Sequence, residues 1–128
     1  MSPHKIATLP PEFRLIRLEL ARERDHPEGS GEDGYDVVAP LRAGDRLDPV
    51  LWKRHKDACR VVRFRPGEDH TVGRLARRPG GSWAFRFAGE GDEPGRRFDQ
   101  ERFVPGEYVS LRADSGDHTF KIVAVRPL

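Results

Sequence analysis

Apolar residues in this chain recur mainly at every second position, in short segments separated by Gly, Pro and acidic clusters. Trp83, Phe85 and Phe87 alternate with Ala84 and Arg86, and Tyr35, Val37, Ala39 and Leu41 alternate with Asp36, Val38 and Pro40. Successive side chains of a strand point to opposite faces, so this period marks half-buried strands. Glu12 to Arg22 reads the same way, with Phe13, Leu15, Ile16, Leu18 and Leu20 and one phase slip at Leu15/Ile16. From Arg60 onward the punctuation is that of a meander. Val62 and Phe64 are expected to face inward, Pro66-Gly67 breaks the chain, and a strand from Thr71 to Arg77 carries Leu75. Pro79-Gly80-Gly81 turns into the Trp83 stripe; Val109 and Leu111, a turn over 113–116, and Phe120, Ile122 and Ala124 form the last hairpin. The expected core is Val62, Phe64, Leu75, Trp83, Phe85, Val109, Leu111, Phe120 and Ile122.

One helix interrupts the strands. Asp48 followed by Pro49 is a helix start, because the carboxylate accepts from first-turn amides and proline at the first helical position loses no bond. The helix is expected to reach about Ala58, with Trp52 anchoring it to the sheet. Residues 23–34 and 89–97 read as polar loops. The predicted fold is all-β: a small curled antiparallel sheet or partly open barrel with one short helix. A flexible tail is expected over residues 1–11 and a single β-rich domain over 12–128, as the 128-residue length allows.

Charge changes this picture more than composition does. The net charge of +2 hides an asymmetry, with eleven Lys or Arg against four Asp or Glu between residues 46 and 86 and an acidic excess on either side. No apolar run exceeds Ile122 to Val125, far short of the ~18 residues of a membrane-spanning helix. Cys59 is the single cysteine, which fits a reducing compartment, and the expected location is cytoplasmic.

Most catalytic readings fail on their own terms. Gly29-Ser30-Gly31-Glu32-Asp33-Gly34 matches the dinucleotide fingerprint, but a strand follows where a helix is required, and Glu32 and Asp33 would repel the phosphates. The acidic loop Gly89 to Gly95 lacks the ligand spacing of a calcium site. Cys59 with His55 one helical turn earlier suggests a thiol nucleophile, yet an inert packed cysteine is the commoner outcome at a helix–strand junction. His4, His26, His55, His70 and His118 show no metal-ligand spacing, and Ser2, Ser30, Ser82, Ser110 and Ser115 have no neighbouring signature of activation. No catalytic residue, metal ligand or cofactor is expected. The Trp83-Phe85-Phe87 stripe reads as core before it reads as a stacking platform for bases.

Gly34-Tyr35-Asp36, Ala39-Pro40-Leu41, Cys59 to Phe64, Trp83-Ala84-Phe85, Arg102 to Ser110 and His118-Thr119-Phe120 together resemble a family of small, single-domain, uncharacterised bacterial proteins, over about Phe13 to Val125. That resemblance implies no activity and carries over no functional residue. Pro105 to Leu111, followed by a Gly turn and Phe120-Lys121-Ile122, is similar to hairpins of SH3-like and RNA-associated barrels, a motif that recurs on unrelated folds.

Strand phase then gives the functional expectation. If the core residues point inward, Arg63, Arg65, Arg74, Arg78 and Arg86 point outward from consecutive strands and form a basic face. The expectation is a non-enzymatic binding module for nucleic acid or an acidic protein surface, with no membrane partner. The alternatives are a small-ligand-binding accessory domain and an enzyme with a dispersed site. The acidic stretches 23–36 and 90–101 can instead fold over the arginines, and a cleft with converging titratable groups would favour an enzyme.

Overall fold

In the computed structural model, which describes residues 8–23, 26–113 and 115–128, eight strands close into one antiparallel barrel in chain order. They are β1 (Phe13–Leu20), β2 (Ser30–Pro40), β3 (Arg60–Phe64), β4 (Thr71–Arg77), β5 (Trp83–Arg86), β6 (Glu93–Arg96), β7 (Tyr108–Ala113) and β8 (Gly116–Pro127). Each strand pairs with the next, and β8 returns to β1, with Ile16 opposite Val125 and Leu20 opposite Phe120. Closure gives every strand a neighbour on both sides. The all-β expectation holds, and the barrel is closed rather than partly open. No described helix is long and apolar enough to cross a membrane.

Every strand turns alternate residues into the barrel. Ile16, Leu18, Val37, Leu75, Trp83, Phe85, Val109, Leu111, Phe120 and Ile122 are buried, while Arg74, Arg86, Arg112 and Lys121 face outward. Eight of the nine expected core positions are buried, and the seven from Leu75 to Ile122 belong to the core cluster. The exception lies on β3. Val61, Arg63 and Phe64 are buried there and Val62 is half-buried, while Phe64 lies outside the core cluster, its ring covered by the Arg17 guanidinium at 4.3 Å. The adjacent valines fit either phase, and a one-residue slip exchanges the faces of a whole strand.

One end of the barrel is closed. Between β2 and β3 runs α1 (Pro49–Arg54), where the Asp48 carboxylate accepts from the amides of Val50 and Leu51 at 3.0 and 3.1 Å. The α-helix stops at His55, and a single 3₁₀ turn, Lys56–Ala58, completes the expected span. Trp52 anchors the helix as expected: its indole N–H donates to the Leu75 carbonyl at 2.9 Å and its ring meets Trp83 edge-on at 5.4 Å. Leu9 packs against the core, and residues 1–7, with Ser2 and His4, lie outside the described residues.

Two expected loops contain strand. β2 begins at Ser30 because the β1–β2 ladder steps past a bulge, from the Glu19–Gly34 pair to the Leu20–Ser30 pair. A side chain at Gly34 would run into the Leu18 carbonyl. Within 89–97, the short β6 pairs Glu93 with Phe85 and Gly95 with Trp83. Both corrections bring carboxylates onto inward-facing strand positions at the end of the barrel opposite the helix.

Candidate functional site

At that open end the strands contribute Leu20 from β1, Asp33 and Tyr35 from β2, Arg63 from β3, Glu93 from β6, Ala113 from β7, and His118 and Phe120 from β8. Parity explains the set: Asp33 and Tyr35 share a face with Val37 and Ala39, and His118 shares one with Phe120 and Ile122. These residues, apart from Arg63, line a cavity of about 360 Å³ together with Glu23, His26, Arg65, Glu90 and Ser115. The barrel's apolar centre, between Ile16, Leu18, Val37, Leu75, Phe85 and Phe98, holds a void of only about 10 Å³. Side chains therefore fill that centre, and the cavity lies above it at the mouth.

The cavity floor is a buried ionic network. Tyr35 donates its hydroxyl to Glu93 Oε1 at 2.7 Å, and Arg63 donates to Glu93 Oε2 at 2.7 Å. Arg63 is 7% exposed and Glu93 6%. The second Arg63 nitrogen reaches both oxygens of Glu90 at 3.1 Å, and its guanidinium lies 4.4 Å from the centre of the Phe87 ring. Among the described residues no buried side-chain nitrogen or oxygen lacks a partner. Burial and the bond to Glu93 raise the Tyr35 pKa far above its ordinary value. Burial alone lowers the Arg63 pKa, but the hydrogen bond that Arg63 donates to Glu90 and the charge of Glu93 outweigh it, and the guanidinium stays charged. The Tyr35 ring is itself held between Phe85 and Phe120.

On the opposite wall, His118 Nδ1 lies 2.9 Å from Glu23 Oε1, and its Nε2 lies 2.6 Å from Ser115 Oγ. The contact is long-range in sequence. Ala21 donates to the Thr119 carbonyl at 2.9 Å, extending the β1–β8 ladder until Glu23 comes beside His118. Ser115, which carries no activation motif in the sequence, has as its partner here a barrel-facing histidine three residues on. Asp33 lines the same cavity. Burial raises its pKa, opposed by the charges of Arg65, His26 and His118.

The five expected arginines divide between two places. Arg63 points into the barrel rather than outward, and Arg65 joins it at the mouth, 3.7 Å from Glu93. Arg74, Arg78 and Arg86 lie outside: Arg74 pairs with Asp57, Arg86 with Asp92 through two bonds of 2.9 Å, and Arg78 approaches Asp92 at 4.0 Å. Glu90, Asp92 and Glu93 thus fold over the central positive charge, as the acidic stretch after residue 89 allows. Arg60, Arg74 and Arg86 nevertheless stand directly opposite one another across β3, β4 and β5.

Cys59 is fully buried at the closed end, its thiol directed at the His55 carbonyl at 3.5 Å. Burial pushes the thiol pKa up to about 12, and its ordinary role is packing. Among the described residues no three metal-ligating side chains converge. The Glu23–His118–Ser115 wall is not legible in the sequence because Glu23 stands 95 residues from His118; the parity of His118 with Phe120 is the available signal. No protein-family model, curated protein or solved structure matches the chain.

Proposed function

We propose that this barrel binds a small polar molecule at its open end. The observation that carries the reading is the cavity of about 360 Å³ seated on the Tyr35–Glu93–Arg63 network, above an apolar centre that side chains fill. Its volume falls at the lower end of the ~300–1,000 Å³ usual for ligand pockets. Burying an ion pair costs desolvation that apolar residues of the same volume would not. Such a pair is favoured where its charges also fix a polar surface for a ligand. Arg65 and His26 offer donors at the rim, and Glu23 and Asp33 offer acceptors. The cytoplasm fits this reading, since buried, unpaired Cys59 stays reduced there.

The test is a thermal-shift screen of small polar metabolite-like compounds, followed by calorimetry on the hits. A ligand at about a hundred times its Kd adds about 2.7 kcal/mol of stability, a shift of several degrees in a domain of this size. Asp33→Asn and Arg65→Ala are expected to weaken binding, and Arg96→Ala, on an exposed outward position of β6, is expected to leave it unchanged. Hits that are indifferent to both mouth substitutions overturn the proposal.

A second reading, an anionic partner on the outer face, draws on the cross-strand row of Arg60, Arg74 and Arg86. Like charges directly opposite on a sheet destabilise it unless they are neutralised, and a polyanion does this as well as a carboxylate.

A further inference from the structure

We propose that Ser115 is a nucleophile, and that the cavity wall formed by Glu23, His118 and Ser115 supports acyl transfer from small esters to water. The proposal rests on the reading of the mouth as a ligand site only for where the substrate sits; the chemistry depends on the wall itself. Its basis is the order of the contacts. The Glu23 carboxylate faces Nδ1 of His118, and the Ser115 hydroxyl faces Nε2. A carboxylate at Nδ1 holds the proton on that nitrogen, leaving the Nε2 lone pair to accept the serine proton. The reverse arrangement would leave no base for the hydroxyl.

Two parts of the chain far apart in sequence meet here: Ser115 and His118 share the β7–β8 hairpin, and Glu23 joins them from 95 residues away, after β1. Glu23 follows the end of β1 and is fixed by paired backbone bonds with His26, Glu23 N–H to His26 O at 2.9 Å and His26 N–H to Glu23 O at 3.0 Å. His118 is an inward residue of β8, and Ser115 sits in the β7–β8 turn closed by the Ala113–Gly116 pair. Ser115 is exposed, so a substrate in the cavity can reach its hydroxyl from the barrel mouth. Arg65 lines the same cavity and is the cation assigned to the oxyanion.

The step balances without any further reactant. Ser115 Oγ bonds to the ester carbonyl carbon as its proton passes to His118 Nε2. The carbon–alkoxy bond then breaks, and the alcohol leaves with that proton. Water adds to the acyl group, gives its proton to His118 and displaces Ser115 Oγ, which takes the proton back; the products are one acid and one alcohol. Glu23 is a positioning residue, acting through the imidazole.

A fluorophosphonate probe tests the proposal on the full chain, because Oγ–P bond formation expels fluoride and leaves a stable adduct that peptide mass spectrometry assigns to a residue. The expected result is one adduct, on Ser115. His118→Gln is expected to slow its formation by about 10²–10⁴-fold, and Glu23→Gln to slow it with partial rescue by Glu23→Asp. Turnover of p-nitrophenyl acetate is expected to follow the same order, with circular dichroism verifying that each variant keeps the barrel. No adduct, an adduct elsewhere, or a Ser115 adduct formed at an undiminished rate in His118→Gln overturns it. Ligand-induced thermal shifts of the unmodified chain are read separately, so acylation and ligand binding can each fail while the other stands.

Discussion

At Asp33 a carboxylate turned into the barrel has lost solvent on its cavity side, and burial holds its pKa above the ordinary value despite the pull of Arg65, His26 and His118. A carboxyl with a raised folded-state pKa binds protons more tightly in the folded chain than in the unfolded one. Stability therefore falls as the pH rises from the unfolded value through the folded one, and it recovers on acidification. Asp33→Asn removes that penalty. The variant is expected to be more stable than the natural chain at neutral pH and to converge with it below pH ~4, where Asp is protonated in both states. Urea unfolding at a series of pH values checks this, and a variant less stable at neutral pH would show instead that the carboxylate makes a favourable contact. Individual residues were unevenly legible in the sequence. Asp48 announced a cap and Trp52 an anchor through local chemistry, and both do that work. Asp33, Glu93 and His118 come together only when strands far apart in sequence close on each other, and no local rule carries that information.

The elements were legible where a core stripe was long and ambiguous where it was short. Trp83-Phe85-Phe87 has one reading, whereas Val61-Val62 permits two, and the phase chosen by β3 is the one that buries Arg63 against Glu93. β6 shows the opposite limit. Its four residues contain no large apolar side chain, and its inward position Gly95 is empty so that another residue can occupy the space. The chain turns at Arg97, which has a positive φ of 54°, and lays the Phe98 ring back over Gly95. There Phe98 meets Phe85 and Phe103 edge-on, at 5.8 and 5.4 Å. A Cβ at Gly95 would stand about 2.5 Å from that ring. Gly95→Ala is therefore expected to overpack the barrel and cost about 1–3 kcal/mol, seen as a lower urea midpoint at unchanged m. An unchanged midpoint would mean that Phe98 does not need its seat on β6 for the barrel to stand.

Over the whole molecule, the charge distribution decides between the two faces. The basic centre of the chain, read as one exposed patch, is instead divided between mouth and wall, and Glu90, Asp92 and Glu93 cover much of it. Among the described residues the outer row Arg60, Arg74 and Arg86 has Asp57 and Asp92 as partners, through pairs exposed enough to contribute no more than about 1 kcal/mol each. A polyanion competing for this row has to displace those two carboxylates, so binding to generic RNA or duplex DNA is expected to be weak and confined to low ionic strength. Removing the competitors tests the row directly. Asp57→Asn with Asp92→Asn is expected to tighten binding, and Arg60→Glu with Arg74→Glu to abolish it, each lost phosphate contact lowering the log–log salt slope by about 1. Absence of binding by the natural chain at low salt, or indifference to the arginine substitutions, removes the anionic partner and leaves the outer row as a feature of the sheet held by its own carboxylates.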